Sequence, residues 1–146
     1  MRRGLSVALR ISAKVSVRFK PELWKAVALA MSKENYNLKQ RSLWVSESIE
    51  SIFKHWEQSS PQDIALDLRT YAPAVAHINP SKITLSATSV HRIQKLSMRF
   101  QEAGIPFDDL KTRLVYAAIV KRLNQNSIEY RSRESGSIST VETAQE

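Results

Sequence analysis

Residues 14–20, Lys14-Val15-Ser16-Val17-Arg18-Phe19-Lys20, alternate strictly between polar and apolar side chains, with Val15, Val17 and Phe19 on one face. Successive side chains of an extended chain point to opposite sides. The pattern therefore predicts a half-buried strand with Lys14, Ser16 and Arg18 facing out. Pro21 and Glu22 then supply a helix start: proline is tolerated in a first turn, where its missing N–H would have no intrahelical partner, and the acid complements the helix dipole. This helix is predicted over residues 21–35, with Leu23, Ala26, Val27, Ala30 and Met31 as an apolar stripe at helical spacing. Asn35-Tyr36-Asn37 interrupts it. A second helix is predicted over 38–56, with Val45, Ile49, Ile52, Phe53 and Trp56 on one face.

The same order recurs some 68 residues later, counting Val15 to Ile83. Lys82-Ile83-Thr84-Leu85-Ser86-Ala87 alternates again, placing Ile83, Leu85 and Ala87 inward and Lys82, Thr84 and Ser86 outward. Thr88 or Ser89 is the expected N-cap of a helix marked by Val90, Ile93, Leu96, Ser97 and Phe100, which stops at Gly104, a residue suited to the left-handed position after a helix. Ile105-Pro106-Phe107 turns the chain. A last helix is predicted over 108–123, with Leu110, Leu114, Ala117, Ala118 and Val120 available to a core.

Neither copy can stand alone, because an isolated strand has unpaired edges and even a two-stranded ribbon needs helices behind it. Pairing the two strands antiparallel over four helices solves both problems within one chain. The expected fold is mainly α with a short two-stranded antiparallel β-ribbon. Residues 14–56 form the first copy and residues 81–130 contain the second. Residues 57–80 form a connector with a short helix after Pro61, bounded by Pro73 and Pro80. Residues 131–146, rich in Ser, Thr and Glu, are expected to be a disordered tail. Residues 1–13 continue the alternation through Leu5, Val7, Leu9 and Ile11, and form either a strand extension or a basic N-terminal arm.

Composition narrows the function. The 146 residues suffice for one ordinary domain, and no apolar run approaches the roughly 20 residues that span a bilayer. With no cysteine there is no disulfide, thiolate nucleophile or cysteine-based zinc site, which fits a cytoplasmic protein with no membrane partner. His55, His77 and His91 lack ligand-like spacing, and Asp108-Asp109 is helix-start chemistry rather than a catalytic pair. Gly4, Gly104 and Gly136 are the only glycines, so there is no glycine-rich phosphate loop. No enzyme, metal or cofactor is expected. Trp24, Trp44 and Trp56 lie within amphipathic helices, which assigns them to packing rather than base stacking; Trp44, off the main stripe, is the candidate for an exposed contact.

Charge points to a polyanionic partner. The net charge is +8, and it is uneven: residues 1–60 carry 11 basic and 5 acidic side chains, residues 81–130 carry 8 and 4, and the stretch between them carries 1 and 2.

Val15-Ser16-Val17-Arg18-Phe19-Lys20-Pro21-Glu22-Leu23, together with Ile83-Thr84-Leu85-Ser86 leading to Val90 and Ile93, resembles the ribbon-helix-helix superfamily. Most members carry one copy per chain and dimerise. Two copies in one chain are similar to the tandem minority, including the TraY-type proteins of conjugative DNA transfer, and imply a single-chain pseudo-dimer. The resemblance implies that the ribbon's outward side chains enter the major groove of double-stranded DNA. Here these are Lys14, Ser16 and Arg18 from one strand and Lys82, Thr84 and Ser86 from the other. Arg18 is the strongest candidate for base readout, since a guanidinium can donate two parallel bonds to guanine; Thr84 can hydrogen-bond a base edge or set its methyl against thymine; Lys14 and Lys82 can equally reach phosphate.

The resemblance also implies a phosphate contact at the start of the second helix of each copy. In the first copy this region is Lys39-Gln40-Arg41-Ser42, which suits an anion. In the second it is Phe107-Asp108-Asp109, where two carboxylates repel one, so the halves are not expected to bind equivalently. Lys20 and, from the N-terminal arm, Arg2, Arg3 and Arg10 are further phosphate candidates. The expected function is sequence-specific double-stranded DNA binding, as a transcriptional regulator or an accessory factor of plasmid transfer or partition, with self-association on DNA allowed. The alternatives are a protein-interaction module, antitoxin-like or an assembly protein holding a protein partner on the same scaffold, and a helical RNA-binding or helix-turn-helix protein without the strands.

Overall fold

In the computed structural model, residues 13–71 and 78–125 are described. Strand β1 (Ala13–Val17) is followed by helix α1 (Pro21–Lys33), a single 3-10 turn (Leu38–Gln40) and helix α2 (Arg41–His55). Helix α3 (Pro61–Arg69) lies in the connector. Strand β2 (Ser81–Leu85), helix α4 (Ala87–Glu102) and helix α5 (Leu110–Gln125) complete the order. Strand, helix, helix occurs twice, and both strands predicted by alternation are present. They pair antiparallel, with Lys14 opposite Thr84, Val15 opposite Ile83 and Ser16 opposite Lys82. The protein is thus mainly helical with one two-stranded antiparallel sheet among its described residues.

The ribbon's inner face, Val15, Val17, Ile83 and Leu85, is buried, and Phe19 extends it into the core against Trp24 and Tyr116. Each such side chain removed from water contributes roughly 1.5–3 kcal/mol. Beneath the ribbon α2 packs along α5, and both α1 and α4 pack on each member of that central pair. Helix α3 adds a further layer, packing on α4 and α5. With α1, α2, α3 and α4 all packed on α5, every residue from Leu114 to Val120 is buried. An amphipathic stripe predicts a core role for Leu114, Ala117, Ala118 and Val120; Val115, Tyr116 and Ile119 are buried as well, Tyr116 against Phe19. A helix apolar all round is one enclosed on all sides.

Helices α1 and α4 end in the same way. Asn35 (φ 67°) and Gly104 (φ 70°) adopt the left-handed conformation one residue past the cap. The next residue's N–H then reaches back to the carbonyl five residues earlier, Tyr36 to Met31 at 2.8 Å and Ile105 to Phe100 at 2.9 Å. These bonds satisfy carbonyls that the helix end leaves open. The first helix therefore stops at Lys33, two residues before the expected end. Its successor begins as a 3-10 turn because Asn37 and Gln40 form a reciprocal capping box.

Two polar assemblies tie distant segments together. Arg122 of α5, 17% exposed, donates to the Trp44 carbonyl at 2.9 Å and to the Ser48 hydroxyl at 3.2 Å. It also pairs with Glu34, stacks over the Trp44 ring at 4.4 Å and lies 3.7 Å from Glu47. Trp44 itself is fully buried. This corrects the expectation of an exposed contact there: α5 covers the flank of α2 that a single-helix stripe leaves outside. In the connector, Asp67 accepts from the Trp56 indole at 2.9 Å and pairs with Lys121 at 3.3 Å, while Arg69 donates to the Pro106 carbonyl at 2.8 Å. No helix among the described residues is long and apolar enough to cross a membrane.

Thermal or denaturant unfolding tests these contacts with three substitutions. Arg122→Ala should destabilise the fold by about 3 kcal/mol, because it strands part-buried acceptors and a carboxylate. Gly104→Ala should cost about 1 kcal/mol through its backbone alone, since a Cβ there meets nothing within 4 Å. Asn35→Gly should be neutral or slightly stabilising.

Candidate nucleic-acid interface

The outward face of the ribbon is set by the pleat. Lys14, Ser16 and Lys82 are exposed and Thr84 is half-buried, while the alternate residues are buried. In register, Lys14 stands opposite Thr84 and Ser16 opposite Lys82. No carboxylate occurs among these four side chains or at Arg18, so the face is wholly cationic and hydroxylic. Such a surface donates to acceptor-rich groove edges and to phosphate oxygens.

Arg18 lies one residue beyond β1, still exposed, and its guanidinium donates to the Ile78 carbonyl at 2.9 Å. That bond ties the end of the first strand to the approach of the second and uses one of five guanidinium donors. Its counterpart 68 residues on, Ser86, is placed differently from a reading of the alternation. Pairing ends at Leu85, and Ser86 becomes the N-cap of α4, its hydroxyl accepting from the Ser89 N–H at 3.1 Å. Thr88 and Ser89, the expected caps, lie inside the helix, and Ala87 begins it rather than continuing the strand. Helix formation takes over there because the capping bond satisfies an otherwise open donor.

The start of α2 is engaged with the ribbon. Ser42 and Ser46 accept from the backbone N–H groups of Thr84 and Ser86, at 3.0 and 3.1 Å, and Arg41 donates to the Lys82 carbonyl at 3.4 Å. The spacing matches: four residues of helix rise about 6 Å, and two residues of strand about 6.6 Å. Thr84 faces Lys14 across a wide-spaced position of the ladder, so its N–H points away from β1 and needs an outside acceptor. Ser42, expected at phosphate, thus commits its hydroxyl oxygen to β2. Gln40, expected there too, accepts from the Asn37 N–H. Arg41 lies 4.4 Å over the Trp24 ring, and Trp24 stacks against Phe19. Lys20 caps α1 without a side-chain bond, and Lys39 is exposed on the 3-10 turn.

Copy two carries no serine at the matching positions. Helix α5 starts 69 residues after α2, and the residues at that offset from Ser42 and Ser46 are Lys111 and Val115, whose side chains offer no acceptor oxygen. Instead a groove of about 310 Å3, lined by Ala13, Val15, Leu85, Val90, Ile93 and Leu110 among others, separates this end of the ribbon from α4 and α5. Asp109 precedes α5 in the left-handed conformation (φ 56°), beside Asp108. Arg2, Arg3 and Arg10 fall outside the described residues. Among the described residues no group of three or more His, Asp or Glu side chains is placed to hold a metal ion.

The serine bracket has a direct test. Replacing Ser42 and Ser46 together by alanine should leave two part-buried N–H groups without acceptors and destabilise the protein by about 1 kcal/mol each. Amide hydrogen exchange at Thr84 and Ser86 should accelerate more than at Ile83, whose amide faces β1.

No family model, curated protein or solved structure matches the chain.

Proposed function

We propose that the chain is a single-chain tandem ribbon-helix-helix protein that binds double-stranded DNA sequence-specifically, with the ribbon in the major groove. The observation that carries this reading is the ribbon's outward face: Lys14, Ser16 and Lys82 exposed, Thr84 half-exposed, no acid among them, on a strand pair whose other face is buried. A two-stranded ribbon fits the major groove, and lysine and hydroxyl side chains address base edges and phosphates. Two features support the pseudo-dimer. Each strand is followed by a helix with the same left-handed ending, and α1 and α4 each pack on both α2 and α5. Exchanging the two copies preserves that pattern of contacts.

The biological role consistent with this chemistry is a transcriptional regulator or an accessory factor of plasmid transfer or partition. Selection of bound sequences from a random duplex pool should yield a discrete motif. Arg18→Ala should then cost about 1–3 kcal/mol on that motif, concentrated at one or two base positions. Lys39→Ala should weaken all duplexes alike and reduce the salt slope by roughly 0.9 per lost phosphate contact. Absence of any enriched motif at low salt overturns the reading in favour of a protein-binding role on this scaffold.

A further inference from the structure

The four residues at the centre of the ribbon form a chemically two-fold pattern. Antiparallel pairing puts Lys14 beside Thr84 and Ser16 beside Lys82, so exchanging the strands maps lysine onto lysine and hydroxyl onto hydroxyl. Among the described residues, the two ends of the ribbon do not share that equivalence. At the end where β1 finishes, Arg18 is exposed and anchored to the Ile78 carbonyl, and Arg41 lies over Trp24 with a bond to Lys82. Lys20 and Lys39 stand in the same strand exit and helix approach, with Glu22 as the acid of these segments. At the end where β2 finishes, the residue matching Arg18 is Ser86, whose hydroxyl is spent as a helix cap. Lys111 there follows Asp108 and Asp109 in the chain, and the space flanking the strands is an open, largely apolar groove.

From this geometry we infer that the DNA site is an inverted repeat at its centre with one additional determinant on one flank only, read by Arg18, so that a single chain binds in one fixed orientation. The inference rests on the ribbon reading above and adds the polarity of the complex to it. The physical reason is reach. Ser86 is short and its oxygen is held 3.1 Å from the Ser89 amide, whereas a guanidinium anchored by one donor keeps its remaining donors for an acceptor beyond the central repeat. Two residues separate Arg18 from Ser16, about 6.6 Å of strand. The determinant therefore lies about two base pairs outside the central element, given 3.4 Å per step.

The absence of cysteine allows a clean test. Asn79→Cys, at an exposed position next to the Arg18 end, carries an iron–EDTA cleavage reagent on otherwise intact protein bound to the selected duplex. Cleavage confined to one flank is expected. Sequence selection with Arg18→Ala should return the central repeat without the flanking position, and affinity for the original duplex should fall roughly tenfold or more. Arg18→Lys, which keeps the charge but not the planar fork, should lose the flanking preference while keeping the salt dependence. Equal cleavage on both flanks, or a wild-type motif symmetric to its outer positions, overturns the inference while leaving groove binding by the ribbon intact. Failure to enrich any duplex overturns the ribbon reading itself.

Discussion

Antiparallel pairing between Ala13–Val17 and Ser81–Leu85 is the constraint on which the remaining structure depends. Each strand has only five residues and would be an unstable edge by itself. Joined, they close a sheet whose inner face drops Val15, Val17, Ile83 and Leu85 onto the helices and whose outer face is left to solvent. The pairing also brings together the two strand–helix–helix units, separated by the whole of α1 to α3 in the chain. Because a register slip of one residue would turn the valines outward and the lysines inward, burial of one face fixes which side chains the ribbon displays. The candidate interface is therefore a consequence of the core.

A two-stranded sheet has two outer edges, and the protein treats them differently. The β2 edge is bracketed by Ser42, Ser46 and Arg41, so α2 acts as a third partner that absorbs its outward N–H and C=O groups. On α5 the positions matching Ser42 and Ser46 are Lys111 and Val115, which offer no hydroxyl to the β1 edge. The connector breaks the equivalence again: α3 covers α5 and locks onto it through Asp67, Trp56 and Lys121. Arg122 then clamps α5 to α2 and to the end of α1. Covalent linkage is what permits such divergence. In a dimer of identical chains every change appears twice, whereas here each half can specialise.

The strands and helices were legible from hydrophobic period alone, because burying one face of a strand or helix demands apolar residues at every second, or every third and fourth, position. The alternation around Val15 and Ile83 located both strands, and the stripes through Leu23 to Met31 and Ile93 to Phe100 located the inward faces of α1 and α4. Gly104 marked a helix end since only a left-handed residue suits that position at low cost. The outward set Lys14, Ser16, Lys82 and Thr84 came from the same parity. Where several elements compete for one residue, period no longer decides. Trp44 looks peripheral on α2 considered alone and is central once α5 lies beside it. Ser86 has the parity of a strand residue, but the paired segment ends at Leu85 and its hydroxyl serves a helix. Ser42 and Gln40 read locally as anion contacts, and the fold adds a second task for their oxygens, one accepting at the edge of β2 and the other in a capping box. The serine O–H and the glutamine NH2 remain as donors. Period is a property of a chain segment and can be read locally; the partner of a hydroxyl, an indole or a guanidinium depends on which distant backbone comes within about 3 Å of it, and only the tertiary fold brings it there.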